Sequence, residues 1–333
     1  MKTSALAALA TVVLLGACSP AAKPSPPAGR TVIRFATDWR AEAEQGGFYE
    51  ALGNGEYARR GLAVTFAPGG PGVNVPQLVA SGAVEMGIGS NSFIVMNLAA
   101  EHVPVRAVAA FMQKDPQVLI AHPDAGIRSI ADMKGHPILL ADASISAFWV
   151  WLKAKYGFTD DQVRKYNFNN APFLADKRIV QQGYLTSEPY TLKKQAHLAP
   201  AVFLLADEGY PGYAAMVLAS DTLVKAKPAA VRAFVEASAA GWKAYLHGDP
   251  RPGDALILKD NPEMSEDVLA QARDQMRKHG IVDSGDAVGM GPGMMTDERW
   301  ATFFKVASDQ GVYPKTLDYK TAYTLRFVRG VAK

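Results

Sequence analysis

Short runs of β-branched and aromatic residues alternate with helical segments along the first third of the chain. Runs of this composition, bounded by glycine and proline, predict strands. The predicted strands are 31–36, 62–66, 85–89 and 105–112. The segments between them predict helices over 75–80 and 92–100, with a mixed segment over 46–60 that ends at Gly61. Such alternation predicts a mostly parallel sheet that has helices on its faces.

A second series of the same kind follows. Its strand candidates are 118–121, 137–140, 165–168, 179–184 and 202–205. A helix is predicted over 146–156, and Gly157 ends it. One more apolar run, at 214–219, predicts a final strand.

After that strand the pattern predicts helices only. One apolar stripe at helical spacing contains Val231, Phe234, Val235, the small Ser238, and Trp242. Further helices are predicted over 267–279 and 297–308, which Gly280 and Gly311 end. A helical tail cannot bury its apolar stripes alone. We therefore predict that the chain returns to the first α/β unit.

This order of elements predicts two lobes. The first lobe would hold residues 31–114 plus 215–333, and the second would hold 115–214. The chain would cross twice, near 112–118 and 210–216, and the two crossings would form a hinge. Ligands of open α/β sheets bind beyond the carboxyl ends of the strands, so we expect a binding cleft between the lobes.

The start of the chain has the pattern of an export signal. Lys2 is followed by an uncharged run over residues 4–17, which ends in the lipobox-like Leu15-Gly16-Ala17-Cys18. The run is shorter than the about 20 residues that span a bilayer, so residues 1–17 are predicted to be a signal peptide. An ordinary cleaved signal is the alternative, but Cys18 is the only cysteine and lies where diacylglyceryl attachment requires it.

Residues 18–30 are predicted to be a tether. Four prolines between positions 19 and 30 disfavour helix and sheet pairing, and such segments are extended. The sequence therefore predicts a lipoprotein of the bacterial periplasm, held at a membrane through Cys18. Ser19, where an aspartate would argue for inner-membrane retention, gives no such indication.

Composition excludes several functions. A hydrophobic content of 49% and a charged content of 20% fit a folded globular protein. The net charge of +3 is too small and too evenly spread to indicate a nucleic-acid partner. The six histidines show no metal-ligand spacing, and the glycine-rich segments lack the Gly-Lys-Ser/Thr ending of a P-loop. We therefore predict no metal, no cofactor and no catalytic residue.

Several segments resemble a known family. They are Asp38–Ala51 with Gly55–Val64, Gly69–Asn74 with Leu78–Gly82, and Gln182–Tyr190. They are similar to the periplasmic substrate-binding proteins of ABC importers, in the branch that contains thiamine-pyrimidine-precursor binders and a related pyrimidine synthase. Relatives of that branch bind nitrate, taurine and alkanesulfonates. The resemblance implies an α/β, type II periplasmic binding protein with two hinged lobes, a small-molecule ligand and an ABC permease as partner.

The chain departs from the pyrimidine branch at two positions. Gln45 replaces a histidine seven residues after Asp38, and Ala41 replaces a proline. Gln45 can donate and accept hydrogen bonds but cannot carry charge, so the resemblance leaves the exact ligand open. The related synthase also uses a cysteine-rich motif, and no cysteine follows Cys18. An enzyme of that type is therefore disfavoured.

The predicted ligand contacts lie at strand ends and on aromatic side chains beside them. Helix starts next to these strand ends offer free N–H groups to an acceptor, although their serines can equally be N-caps. Acidic groups favour a ligand with amino donors or a positive ring and would repel a sulfonate or nitrate. The complete predicted set is Asp38, Trp39, Gln45, Tyr49, Ser90, Asn91, Ser144, Trp149, Tyr184 and Glu188.

The sequence thus predicts a lipid-anchored solute-binding protein for a small amino-heterocycle of the thiamine-pyrimidine type. Within the same class, the alternative ligand is an alkanesulfonate, taurine or nitrate. Two other classes stay open: an enzyme that acts on a pyrimidine or pyridoxal compound, and a lipoprotein that only contacts protein partners.

Overall fold

The computed structural model describes residues 29–70 and 72–328. The predicted signal peptide, Cys18 and most of the predicted tether lie outside these residues. Within them, no helix combines the length and the apolar character that crossing a membrane requires.

The described residues form ten strands and thirteen α-helices. The strands are β1 (Thr31–Ala36), β2 (Leu62–Ala67), β3 (Met86–Asn91), β4 (Val105–Met112), β5 (Gln117–Ala121), β6 (Ile138–Leu140), β7 (Val163–Lys165), β8 (Val180–Tyr184), β9 (Ala201–Leu204) and β10 (Ala214–Ser220). The helices are α1 (Gly46–Gly53), α2 (Glu56–Arg59), α3 (Val75–Ala80), α4 (Ser92–Ala100), α5 (Asp142–Ile145), α6 (Phe148–Tyr156), α7 (Ala171–Ala175), α8 (Glu188–Ala196), α9 (Asp221–Ala226), α10 (Pro228–His247), α11 (Arg251–Asp260), α12 (Glu266–His279) and α13 (Asp297–Asp309).

Two five-stranded sheets organise these elements. The first has the order β2-β1-β3-β10-β4, and the second has the order β7-β6-β8-β5-β9. In the first sheet only β10 runs antiparallel to its neighbours, and in the second only β5 does. The predicted fold class, two mostly parallel sheets with flanking helices, is confirmed.

The antiparallel strand of each sheet is the first strand that the chain enters after a crossing. The chain leaves the first sheet after Met112 and enters the second at Gln117, and it returns between Leu204 and Ala214. Residue 114 falls within the first crossing, and residue 214 is the first residue of β10. The predicted lobe boundaries themselves stay a prediction. Below, each sheet together with the helices that pack on it is called a lobe, the first sheet forming the first lobe.

One predicted strand was misplaced. The strand expected over 165–168 is observed as β7, which ends at Lys165. Phe168 has a φ of 58°, a left-handed conformation that does not continue a strand. The chain therefore turns away from the sheet here, and the ring of Phe168 is left about half exposed.

The helical tail packs against α1 at a glycine-to-glycine crossing. A Cβ on Gly241 would lie 2.2 Å from the carbonyl oxygen of Gly47, and a Cβ on Gly47 would lie 2.1 Å from the ring of Trp242. Trp242 is fully buried against Phe48. The crossing therefore depends on the absence of side chains at both glycines, and it fixes α10 on the first lobe.

We predict that Gly241→Ala lowers the free energy of unfolding by about 1–3 kcal/mol, because the added methyl group must separate α1 from α10. Helix propensity alone would give the opposite sign, since alanine is favoured over glycine in a helix by about 1 kcal/mol. Urea unfolding measures the difference. The control is Gly70→Ala, because a Cβ on Gly70 meets no atom within 4 Å. Equal effects of the two substitutions would contradict the close crossing.

Candidate functional site

Three predicted residues of the first lobe meet just beyond the carboxyl ends of β1 and β3. Asp38 follows β1 by two residues, and Ser90 lies near the end of β3. The Ser90 hydroxyl donates to Asp38 Oδ2 at 2.5 Å, and Gln45 Nε2 lies 3.5 Å from Asp38 Oδ1. Asp38, Gln45 and Ser90 therefore lie together at this end of the sheet, and their contact with a ligand stays a prediction.

A second group lies where β8 ends in the second sheet. Glu188 is the first residue of α8. Its Oε2 accepts the backbone N–H of Tyr184 and the Ser187 hydroxyl, both at 2.7 Å. The hydroxyl of Tyr166 lies 3.5 Å from Glu188 Oε1. These bonds fix the carboxylate of Glu188 beside the last residue of β8.

The segments that carry the two groups contact each other. The hydroxyl of Thr186, which follows β8, donates to the carboxylate of Glu44 from the first sheet's side. The ring of Trp39 lies 4.8 Å from that of Phe168, centroid to centroid. Because Trp39 follows β1 and Phe168 follows β7, the contact joins elements of different sheets. The two sheets therefore meet at the place where both groups lie.

Tyr184 lies among several carboxylates. Its pKa is raised well above the ordinary value by burial, and the neighbouring charges of Asp115, Asp38, Glu44 and Glu188 raise it further. The charges of Glu44 and Glu188 also raise the pKa of Glu42. We refer to Asp38, Glu42, Glu44, Asp115 and Glu188 as the acidic cluster. Its members come from the segment that follows β1, from the first crossing, and from the start of α8.

Burial raises the pKa of four carboxylates of this cluster, Asp38, Glu42, Glu44 and Asp115. Withdrawal from water disfavours the charged form. Burial raises the pKa of Asp38, and the hydrogen bonds from Ser90 and Gln45 partly offset this increase. It likewise raises the pKa of Glu44, and that of Glu42 to well above its usual range. Asp115, with a backbone N–H bond from Gln117, has a pKa of about 7.

Little positive charge balances these carboxylates. Arg40 is the nearest cationic residue in sequence, but its guanidinium is half exposed and lies 2.7 Å from Glu263. Among residues 29–70 and 72–328, no three histidine, cysteine or acidic side chains are placed to hold a metal ion. The cluster is thus suited to accept N–H donors or an organic cation, and it opposes an anion.

Tyr49 and Trp149, both predicted as ligand contacts, lie in the core of their lobes. Tyr49 is fully buried, its hydroxyl donates to Asp260 at 3.0 Å, and its ring meets the edge of Phe66. Trp149 is fully buried and donates its indole N–H to Asp160 at 2.8 Å. Both rings are enclosed by other core side chains, Tyr49 beside Phe66 and Trp149 beside Phe158. The structure therefore does not support them as ligand contacts.

Two other predicted contacts have structural roles. The side chain of Asn91 accepts the backbone N–H of Phe93 at 3.0 Å and so caps α4. Ser144 is buried in the short helix α5, and its backbone N–H bonds the carbonyl of Ala141. Their participation in ligand binding stays a prediction.

Sequence reasoning missed five residues that border the cleft: Glu42, Glu44, Asp115, Phe168 and Thr186. A signal existed for the first two, because Glu42 and Gln45 form a capping box around a 3₁₀ turn that contains Glu44. Such a box fixes the turn next to Asp38. No comparable signal marks Asp115 or Phe168. The position of Asp115 depends on the first crossing, and that of Phe168 depends on its own left-handed backbone conformation.

A family model described as NMT1/THI5 like matches residues 42–251, which is more than half of the chain. The chain belongs to the NMT1/THI5-like family. No curated protein matches this NMT1/THI5-like chain.

Solved structures resemble the NMT1/THI5-like protein over most of its length. One is a putative sulfonate ABC transporter protein, the periplasmic sulfonate-binding protein SsuA from Methylobacillus flagellatus KT, with a TM-score of 0.64 and 17% identity over 91% of this chain and 94% of that one. Another is the periplasmic aliphatic sulphonate-binding protein SsuA from Escherichia coli, with a TM-score of 0.65 and 14% identity over 87% and 91%. At these identities the likeness shows the fold.

The fold also occurs in an enzyme. The desulfurization enzyme DSZB matches the NMT1/THI5-like protein with a TM-score of 0.57 and 12% identity, over 91% of this chain and 99% of the enzyme. The fold therefore does not separate a binding protein from an enzyme, and the side chains in the cleft must do so.

Proposed function

We propose that the protein is the solute-binding component of an ABC importer, and that it binds a flat amino-heterocycle or organic cation between its two sheets. The single observation that carries the ligand class is the acidic cluster around Tyr184. The family and the type II fold support the transport class. The best candidate is an aminopyrimidine of the thiamine-precursor type.

The geometry supports binding by closure of the lobes. Amino donors of the ligand would bond to the carboxylates of Asp38 and Glu188, which lie on opposite sides of the cleft. The rings of Trp39 and Phe168, which contact each other, would cover one side of it. A ligand shifts the lobes toward the closed arrangement only as far as it binds that arrangement better than the open one, and contacts from both lobes provide such a difference. The closed form would then dock on the permease.

An alkanesulfonate is the second candidate, and the two SsuA proteins are the observation in its favour. A sulfonate would have to approach several carboxylates without a nearby cation, and such repulsion costs several kcal/mol. Protonation of the cluster would reduce that cost. We therefore place the sulfonate second.

Location and catalysis belong to the same proposal. We place the protein in the periplasm, attached to a membrane by a lipid on Cys18, and we propose that it is not an enzyme. Mass spectrometry of the membrane fraction tests the anchor through the mass of a diacylglyceryl group, which Cys18→Ser should abolish. Recovery of unchanged ligand after prolonged incubation tests the absence of turnover.

A thermal-shift panel tests the ligand class. We expect 4-amino-5-hydroxymethyl-2-methylpyrimidine, the pyrimidine precursor of thiamine, to raise the melting temperature, and we expect taurine and ethanesulfonate to have no effect. At a hundred times the dissociation constant, a ligand adds about 2.7 kcal/mol to stability. Stabilisation by the sulfonates alone would overturn the ligand class but leave the transport class intact.

Two aromatic variants show whether stabilisation arises in the cleft. Trp39→Ala should weaken aminopyrimidine binding about two- to thirteenfold, which corresponds to about 0.5–1.5 kcal/mol for an aromatic contact. Tyr49→Phe serves as the control, since Tyr49 bonds Asp260 inside the first lobe. Equal losses in both variants would indicate a general effect on folding.

A further inference from the structure

Helix α8 reaches the helical tail at a place outside the acidic cluster. Asp267 on α12 accepts the Tyr190 hydroxyl at 2.6 Å and the Lys194 ammonium group at 2.7 Å. Tyr190 and Lys194 are four residues apart on α8 and therefore share one helix face. One carboxylate thus joins two side chains of a single helix.

The three residues belong to different lobes. α12 is held on the first lobe by the fully buried Leu269 and by Arg273, whose guanidinium lies 2.6 Å from Asp254 on α11. α11 packs on α1. α8 follows β8 of the second sheet and packs on that strand, and its Leu192 is buried. The bonds to Asp267 therefore cross from one lobe to the other.

We propose that Asp267, Tyr190 and Lys194 form an interlobe latch, which stabilises the closed arrangement and raises ligand affinity without touching the ligand. This inference rests on the proposed function only for its effect on affinity. The same helix carries Glu188 at its first residue, so the latch also determines how that carboxylate faces Asp38 across the cleft.

The charges at the latch differ from those in the acidic cluster. The charge of Asp267 is matched by Lys194. Within residues 29–70 and 72–328 no member of the acidic cluster forms an ion pair, and the charge of Arg40 lowers the pKa of one member, Glu42. Lys194 and Tyr190 hold the pKa of Asp267 well below its usual range. The latch therefore needs no ligand, and acidification in the physiological range does not release it. Both side chains of the ion pair are about half exposed, so salt should weaken their attraction.

The latch contributes through a difference between two states. When the lobes separate, water replaces each partner of Asp267, so the bonds exist only in the closed arrangement. An exposed ion pair adds little by itself, and the tyrosine hydroxyl adds a charge-assisted hydrogen bond. We expect the ratio of closed to open molecules to fall about fivefold or more when Asp267 is replaced by lysine.

The test measures the distance between the lobes without any ligand. Spin labels are placed at Ala83→Cys and Lys134→Cys in the full chain with Cys18→Ser; both positions are exposed, one in each lobe. Double electron–electron resonance spectroscopy should show a compact population, with a short distance between the labels. Asp267→Lys should deplete this population. The double variant with Lys194→Asp should restore that population, because the charges are exchanged. High salt should deplete the compact population in the protein that keeps Asp267 and Lys194.

The matched control is Asp309→Lys, since Asp309 pairs with Lys305 and Lys315 within the helical tail. It should leave the distance distribution unchanged. Three results would each overturn the latch. The distance distribution could be unaltered in Asp267→Lys, the exchanged pair could fail to restore the compact population, or the unmodified protein could show no compact population. None of these outcomes depends on the identity of the ligand, so the latch and the ligand class fail independently.

Discussion

Replacing Asp38 by asparagine is expected to weaken aminopyrimidine binding about thirtyfold or more and, at a pH of about 8, to make the unliganded protein more stable. Asp38 is buried, and its pKa is raised by that burial. A buried charge without a charged partner costs free energy in the unliganded protein. Loss of one partner from a buried hydrogen-bonded charge pair costs about 2–5 kcal/mol of binding.

The opposite signs of the two effects make this prediction specific. Asparagine keeps the acceptor for the Ser90 hydroxyl, so the local geometry should persist. Calorimetric titration gives the affinity, and urea unfolding without ligand gives the stability. A residue that served only the fold would lower both quantities together.

Glu50→Gln is the matched control. Glu50 is a buried carboxylate of the first lobe with a raised pKa, but it accepts the backbone N–H of Gly253 at 2.7 Å, away from the cleft. Its replacement should leave affinity unchanged. If Asp38→Asn bound the aminopyrimidine as tightly as the unmodified protein, Asp38 would not be a ligand contact.

Local sequence patterns were sufficient to predict most of the fold. The β-branched runs correspond to the strands, and the apolar stripe that contains Phe234 and Trp242 lies on the observed helix α10. The pattern could not show the turn at Phe168. It also could not show α8, because this helix has few apolar residues and includes Lys193 and Lys194. In both places the decisive contact is with the other lobe, and local periodicity contains no information about it.

The site was predictable where residues follow strand ends. Asp38, Ser90 and Tyr184 lie at the carboxyl ends of their strands, and this position brings them together in the cleft. Tyr49 and Trp149 were assigned from their aromatic type alone, and both rings instead complete a core and bond an aspartate. Asp115 was missed because its burial results from the crossing of the chain, which no short motif encodes.

Asp115 leads to the second prediction, a loss of stability as the pH rises. Its pKa is about 7 in the folded protein, against an ordinary value of 3.8. Between those two values the folded chain binds more protons than the unfolded chain, so the free energy of unfolding falls with increasing pH. The fall begins above about pH 4 and is complete above about pH 7, and it amounts to roughly 4 kcal/mol. The raised pKa values of Asp38, Glu42 and Glu44 act in the same direction.

Asp115→Asn should remove its own share of this pH dependence. The asparagine oxygen can still accept the Gln117 N–H, and the variant carries no charge at any pH. Any cost of burying the asparagine amide is independent of pH. The difference between the two slopes of unfolding free energy against pH therefore measures the contribution of the Asp115 carboxylate alone. Urea unfolding at several pH values between about 4 and about 8 should show a flatter curve for the variant, with its largest relative gain at the alkaline end.

Asp176→Asn provides the contrast for this measurement. Asp176 is partly exposed beside Arg178, which lowers its pKa to about 2. Its folded form therefore binds fewer protons than the unfolded chain, and stability from this residue is lost only as the pH falls below about 4. Between about pH 4 and about pH 8 the Asp176→Asn curve should run parallel to that of the unmodified protein. A parallel curve for Asp115→Asn would mean that Asp115 is already ionised at low pH, and that the first crossing exposes it to water. The acidic cluster would then lose its one buried member from the first crossing.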